Sequence, residues 1–102
     1  MSFSGAKLIL LIGGKLLTIR RDDDPSIPWP GLWDLPGGAR ENDESPEACV
    51  LRETAEETGL TLAPEALVWR KHYLRPNPAW FFAAKLGADA FSRVRLGVEG
   101  QA

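Results

Sequence analysis

Residues 38–60 read GARENDESPEACVLRETAEETGL, and within them Gly38, Glu44, Arg52, Glu53, Glu56, Glu57 and Gly59 stand at set intervals. Carboxylates, a guanidinium and a glycine so close in sequence are the materials of a hard-cation site. Glu53, Glu56 and Glu57 fall at i, i+3 and i+4, so on a helix they share one face, about 5–6 Å apart at Cβ. Each like-charge pair costs roughly 0.2–0.5 kcal/mol even when exposed. A divalent cation reverses that sign, and magnesium takes carboxylate oxygens together with substrate phosphates. Arg52 stands to the side, where it can pair with a carboxylate and fix its orientation. Glu44 precedes the helix and reads as a fourth carboxylate brought in by the loop. The competing interpretation is a solvated acidic helix face, the usual fate of a charge run. The offsets of Gly38 and Glu44 disfavour it, because no single helical face explains them.

The helix itself is legible. Ser45 suits the N-cap, where its hydroxyl accepts an orphan N–H, and Pro46 suits the first helical position. Gly59 is a natural C-terminal stop. The intervening residues lack Gly and Pro and are rich in Ala, Glu and Leu, which predicts a helix from Pro46 to Thr58. Its face away from the acids carries Ala48, Leu51, Thr54, Ala55 and Thr58. That small apolar stripe, with Thr54 at its margin, suits close packing on a sheet.

The run resembles the signature of the Nudix hydrolases: Gly, five residues, Glu, seven residues, Arg-Glu, an aliphatic, any residue, Glu-Glu, any residue, Gly, aliphatic. Every charged and glycine position matches, and Leu60 fills the last aliphatic slot. Thr54 departs from the pattern, which normally has Ile, Leu or Val there. A chance match at these fixed positions has a probability on the order of 10⁻⁹ to 10⁻⁸ per window. Gly31-Leu32-Trp33-Asp34-Leu35-Pro36-Gly37-Gly38 also resembles the family's approach to the box.

The resemblance implies a Mg2+-dependent pyrophosphohydrolase, with Mn2+ as a substitute, cleaving a nucleoside diphosphate linked to another moiety. The compact length resembles the MutT-like members that act on (d)NTPs. Carried onto matching positions, Glu56 and Glu57 are the main metal ligands. Glu53 is a further ligand or the base, Glu44 and Arg52 orient the assembly, and the carbonyl of Gly37 or Gly38 reaches the metal. Which carboxylate is the base stays open. Glu99, the last acidic residue, is the candidate distal ligand, weighed evenly against a flexible tail. Arg20, Trp33, Gly37, Gly38 and Trp80 are the candidate substrate contacts, with Trp80 stacking on a base. For Arg20 a solvated strand end is the commoner reading. The alternative function is a catalytically weak Nudix-like module that binds a nucleotide or a partner.

The chain has 102 residues, which reads as a single domain burying roughly 60–65% of its unfolded surface. A net charge of −2 gives no basic excess for wrapping a nucleic-acid backbone, so no polymer partner is expected. The one cysteine, Cys49, excludes an internal disulfide and fits a cytoplasmic location. The longest apolar run, LILLI at 8–12, falls far short of a membrane span.

The other elements must carry the box. Residues 6–12 and 15–21 read as a hairpin around Gly13-Gly14. Residues 22–31 form a loop in which Trp29 can cover the site, Gly37-Gly38 a tight loop, and 32–35, 67–75 and 79–86 read as strands. Residues 87–96 offer a weak helix or turn and a strand. His72, mid-strand, reads as packing rather than catalysis. The expected fold is α/β: a Nudix-like mixed β-sheet with the box helix on one face. The family's fold has helices on both faces and continues through a further strand and helix. An uncovered apolar sheet face is therefore expected, and with it a homodimer or instability.

Overall fold

The computed structural model describes residues 3–21, 33–75, 77–95 and 100–101. The unbroken Leu/Ile run at 8–12 drives β1 (Gly5–Ile12), in which Ala6, Leu8, Leu10 and Ile12 are buried and the residues between them are not. That period of two means one face on the core and one away from it. Gly13-Gly14 turns the chain into β2 (Lys15–Leu16), antiparallel to β1. The expected second strand then breaks at residues 17–18. Its remainder, β3 (Ile19–Arg21), joins β4 (Trp33–Asp34) and β8 (Gly100–Gln101) in a second sheet, ordered β4-β3-β8.

The pair Gly37-Gly38 is not a loop. It forms β5 (Gly37–Ala39), antiparallel to β1, with Ala6 opposite Gly38 and Lys7 opposite Gly37. Strand propensity argues against Gly-Gly here, and tertiary pairing overrides it. After β5 comes α1 (Pro46–Thr58), with the predicted bounds. The Ser45 hydroxyl accepts the Ala48 N–H at 3.1 Å, and Gly59 caps the other end at φ 75°. A 3-10 turn at Pro64–Ala66 leads to β6 (Trp69–Tyr73) and β7 (Ala79–Leu86), and another 3-10 segment covers Ala88–Arg93.

β7 runs parallel to β1 along its full length. Parallel strands need a long crossover, and α1 lies within it. The first sheet is ordered β2-β1-β7-β6, with β5 sharing the β2 side of β1. One face meets α1: Leu8 lies beside Phe82 and Leu10 beside Ala84, under the fully buried Cys49 and Val50 of the helix. The helix's buried stripe is Cys49, Val50, Thr54 and Thr58 rather than the predicted one, and Ala48 is exposed. Thr54 is fully buried instead of marginal. Among the described residues the sheet's other face is open, with Trp69 and Tyr73 of β6 about two-fifths exposed. No helix among the described residues is long and apolar enough to cross a membrane.

Candidate active site

The site forms where α1 crosses β5. A side chain on Gly38 would place its Cβ 2.6 Å from the Glu53 carboxyl carbon, so glycine at 38 is what lets this carboxylate lie on the strand. Gly37 sits at φ 138°, and a Cβ there would come 2.7 Å from the Lys7 Cα. Its N–H donates to Glu57 Oε1 at 2.7 Å. The two glycines therefore meet two helix carboxylates, one through its backbone donor and one through its missing side chain.

The remaining acids gather on Arg52. Its Nε donates to Glu44 Oε2 at 2.6 Å and its Nη2 to Glu44 Oε1 at 3.0 Å, a two-pronged pair. Nη1 reaches Glu53 at 2.9 Å and Glu56 at 3.2 Å, and Nη2 also reaches the Ala39 carbonyl at 3.0 Å. Glu41 approaches the same guanidinium at 3.3 Å. Glu44 and Glu53 keep only 16% and 15% of their side chains exposed, against 57% for Glu56. Glu44 is also held by the Glu41 N–H at 2.9 Å, within a turn where Asn42 takes φ 54°.

These surroundings move the acids in opposite directions. The Arg52 hydrogen bonds hold the Glu44 carboxyl below its usual value, helped by the Glu41 N–H. Burial pushes Glu57 up, and the Gly37 N–H opposes that only in part. Burial, with Glu44 and Glu53 nearby, raises the Cys49 thiol. That thiol lies 3.7 Å from the Gly38 carbonyl, where it packs rather than reacts.

A groove of about 830 Å3 opens on the far side of β5, lined by Lys7, Ile9, Gly38, Ala39, Tyr73, Arg75 and Phe81 among others. Lys7 projects into it, paired to Asp34 at 2.7 Å. Over residues 3–96 the chain matches the model of one family, the NUDIX domain.

The chain belongs to the Nudix family. It is 44% identical over 66 residues to a MutT-like protein of Streptomyces ambofaciens, an overlap covering 65% of this chain and 39% of that one. It is 34% identical over 103 residues to an RNA pyrophosphohydrolase of Gluconacetobacter diazotrophicus, covering 81% of this chain and 60% of the relative. Among solved structures it superposes on a MutT/nudix family protein from Enterococcus faecalis with TM-score 0.77 and 25% identity, over 99% of this chain and 42% of that one. The chain thus spans roughly two-fifths to three-fifths of the lengths of these curated relatives.

Within this Nudix fold the donor chemistry of Glu53, Glu56 and Glu57 suits a hard cation, but the carboxylates are not gathered around one point. Among the described residues no three acidic, histidine or cysteine groups are placed to hold a metal ion. Arg52 draws Glu44, Glu53 and Glu56 to one side, and Gly37 holds Glu57 on another. Three of the expected quartet, Glu44, Glu53 and Glu56, converge on an internal cation instead, and Glu57 does not. The Gly38 carbonyl, expected at a metal, faces the Cys49 thiol.

The substrate candidates separate. Gly38 borders both the groove and the Glu53 carboxylate, while Gly37 meets Glu57 without lining the groove. Trp80 lies on the α1 face, stacked on His72 with centroids 4.7 Å apart, because it opposes Ala6 in register. The open face presents Phe81 and Tyr73 in its place. An aromatic pair in sequence cannot announce which member faces which way. Trp33 is 57% exposed in the second sheet, opposite Arg20 in register. The Arg20 side chain, Trp29 and Glu99 lie outside the described residues. Sequence reasoning missed Lys7, whose signal was one cation inside an otherwise apolar strand.

Proposed function

We propose that this chain is a divalent-metal-dependent pyrophosphohydrolase that cleaves a nucleoside diphosphate linked to another moiety, with a (d)NTP as the simplest substrate. One observation carries the reading: Gly38 lies against the Glu53 carboxylate and also lines, with Tyr73 and Phe81, a nucleotide-sized groove. Magnesium, or manganese in its place, would be held by Glu53, Glu56 and Glu57. It would supply charge neutralisation on the phosphates and a more acidic water. Arg52 and Glu44 would hold the carboxylates in place. Phe81 and Tyr73 would contact the base, while Lys7 would face the phosphates that pass from groove to carboxylates. Glu57, with its raised affinity for a proton, and Glu53, beside Gly38, are the two candidates for taking the proton from water.

The test is a panel of nucleoside diphosphate derivatives incubated with the chain and Mg2+. Phosphate or pyrophosphate release is expected, and Glu53→Gln or Glu57→Gln should lower turnover about 10² to 10⁴-fold with the fold intact. Full activity in both variants rejects the assignment.

A second reading, a nucleotide-binding module without turnover, is favoured by Arg52. An internal guanidinium already neutralises the acids, so the cluster can persist without a metal. Saturable binding of the panel with no release would decide for it.

A further inference from the structure

Lys7 is the one charged residue of β1. Its ammonium donates to Asp34 Oδ2 at 2.7 Å and to the Leu35 carbonyl at 3.4 Å. Asp34 Oδ1 in turn accepts the Leu35 N–H at 2.7 Å. The two side chains are only 27% and 35% exposed, so water and salt screen this pair less than one on the surface. Asp34 lies in β4 of the second sheet, opposite Ile19, whereas Lys7 lies in the first. The pair therefore joins the two sheets where the chain passes from one into the other.

That junction delivers Gly37. Leu35 and Pro36 are all that separate Asp34 from β5, and Lys7 stands opposite Gly37 in register. The Leu8 N–H holds the Pro36 carbonyl at 2.8 Å. Gly37 then takes φ 138° and aims its N–H at Glu57 Oε1, 2.7 Å away. Glycine is the least restrained residue in its backbone angles, so it contributes no stiffness here. A Cβ at this position would lie 2.1 Å from the Ala6 carbonyl oxygen, so no side chain can lock it. The restraint must come from its neighbours. After burial and the Gly37 N–H, the charges that bear on Glu57 are those of Glu53, Lys7 and Asp34, which places the pair close to this carboxylate.

We propose that Lys7 is a positioning residue: by gripping Asp34 and the Leu35 carbonyl it fixes the turn that holds the Gly37 N–H against Glu57. As a role in turnover this rests on the hydrolase reading above, in which Glu57 is a metal ligand or the base. An ammonium suits the task, because its several donors can serve a carboxylate and a carbonyl at once. Misplacing a catalytic group by about 1 Å costs on the order of 10²-fold in rate, so a slackened turn should be visible in turnover.

The test is hydrogen exchange at the Gly37 amide, followed by NMR on the full chain in EDTA, beside turnover of the substrate panel with Mg2+. The amide of the buried Leu10 is the reference, since a general loss of stability would speed both. Lys7→Met and Asp34→Asn should each speed Gly37 exchange about tenfold relative to Leu10, and the double variant no further, because either change breaks the same link. Lys7→Arg, whose fork also takes a carboxylate, should keep the native rate. In turnover Lys7→Met and Asp34→Asn should each lower kcat about 10- to 100-fold with KM within about threefold. Asp34→Asn keeps the shape of its side chain, so it decides the question if Lys7→Met fails to fold. Native exchange at Gly37 in both variants overturns the proposal. So do additive losses in the double variant, or a KM that rises while kcat stays, which would make Lys7 a substrate contact instead. A panel without turnover rejects the hydrolase reading alone, and the exchange rates still decide whether Lys7 holds Gly37.

Discussion

Arg52 Nε lies 2.6 Å from Glu44 Oε2, and the same guanidinium reaches Glu53 and Glu56. A side chain expected at the margin of an acidic cluster is its centre. Three carboxylates that would repel one another are stable on adjacent elements because one planar cation serves them all.

Removing that cation should therefore destabilise the metal-free protein. Arg52→Ala is expected to lower stability by about 1–3 kcal/mol, read as a falling melting temperature in EDTA. Added Mg2+ should restore more stability to the variant than to the native chain, since the freed carboxylates then have a different cation to hold. Arg52→Lys should recover only part of the loss, because an ammonium lacks the fork that takes both Glu44 oxygens. Equal melting curves for all three proteins would contradict this role.

Glu57 and Glu44 predict opposite pH dependences. Burial raises the Glu57 value above the usual 4.5, so the folded state binds that proton more tightly than the unfolded chain. Its contribution is fully present below 4.5 and is lost as pH rises through the folded value. Chemical denaturation in EDTA should show Glu57→Gln removing that decline. For Glu44, held low chiefly by Arg52, the contribution is present above 4.5 and is lost as pH falls through the lower folded value. Glu44→Gln should therefore cost stability at neutral pH and lose less on acidification.

The two glycines of β5 should respond differently to a methyl group. Gly37→Ala combines a left-handed backbone at φ 138° with a Cβ pressed on the Lys7 Cα. A loss of about 3 kcal/mol or more is expected, visible as poor folding. At Gly38 the obstacle is the end of the Glu53 side chain, which can swing away. Gly38→Ala should melt close to the native temperature while its divalent-metal affinity, measured by calorimetry, falls. A Gly38→Ala protein that binds metal normally would detach Gly38 from the site.

Thr54 is fully buried, and among the described residues its hydroxyl has no hydrogen-bond partner. Thr54→Val keeps the shape and removes the unsatisfied oxygen. A gain of about 1 kcal/mol is expected in the urea unfolding midpoint. A loss would mean that the hydroxyl is satisfied by an ordered water.

The box helix was legible in the sequence because everything that defines it is local. Ser45 and Pro46 open it, Gly59 closes it, and the i, i+3, i+4 spacing of Glu53, Glu56 and Glu57 fixes which acids share a face. The strands at 5–12, 69–73 and 79–86 were legible for a similar reason, since each carries its own apolar content. What α1 buries was read less well. Cys49 and Val50 rather than Ala48 face the sheet, because the helix's rotation is set by the strands beneath it. Gly37-Gly38 has no strand propensity and becomes β5 only because β1 offers a free edge. The side of the sheet taken by Trp80 as against Phe81, and the direction Arg52 turns, depend on partners far apart in sequence. Short-range spacing thus determined the chemical groups of this protein. Long-range pairing decided which groups meet, because a side chain's neighbours across a sheet are set by register and a charge's partner by which elements pack together.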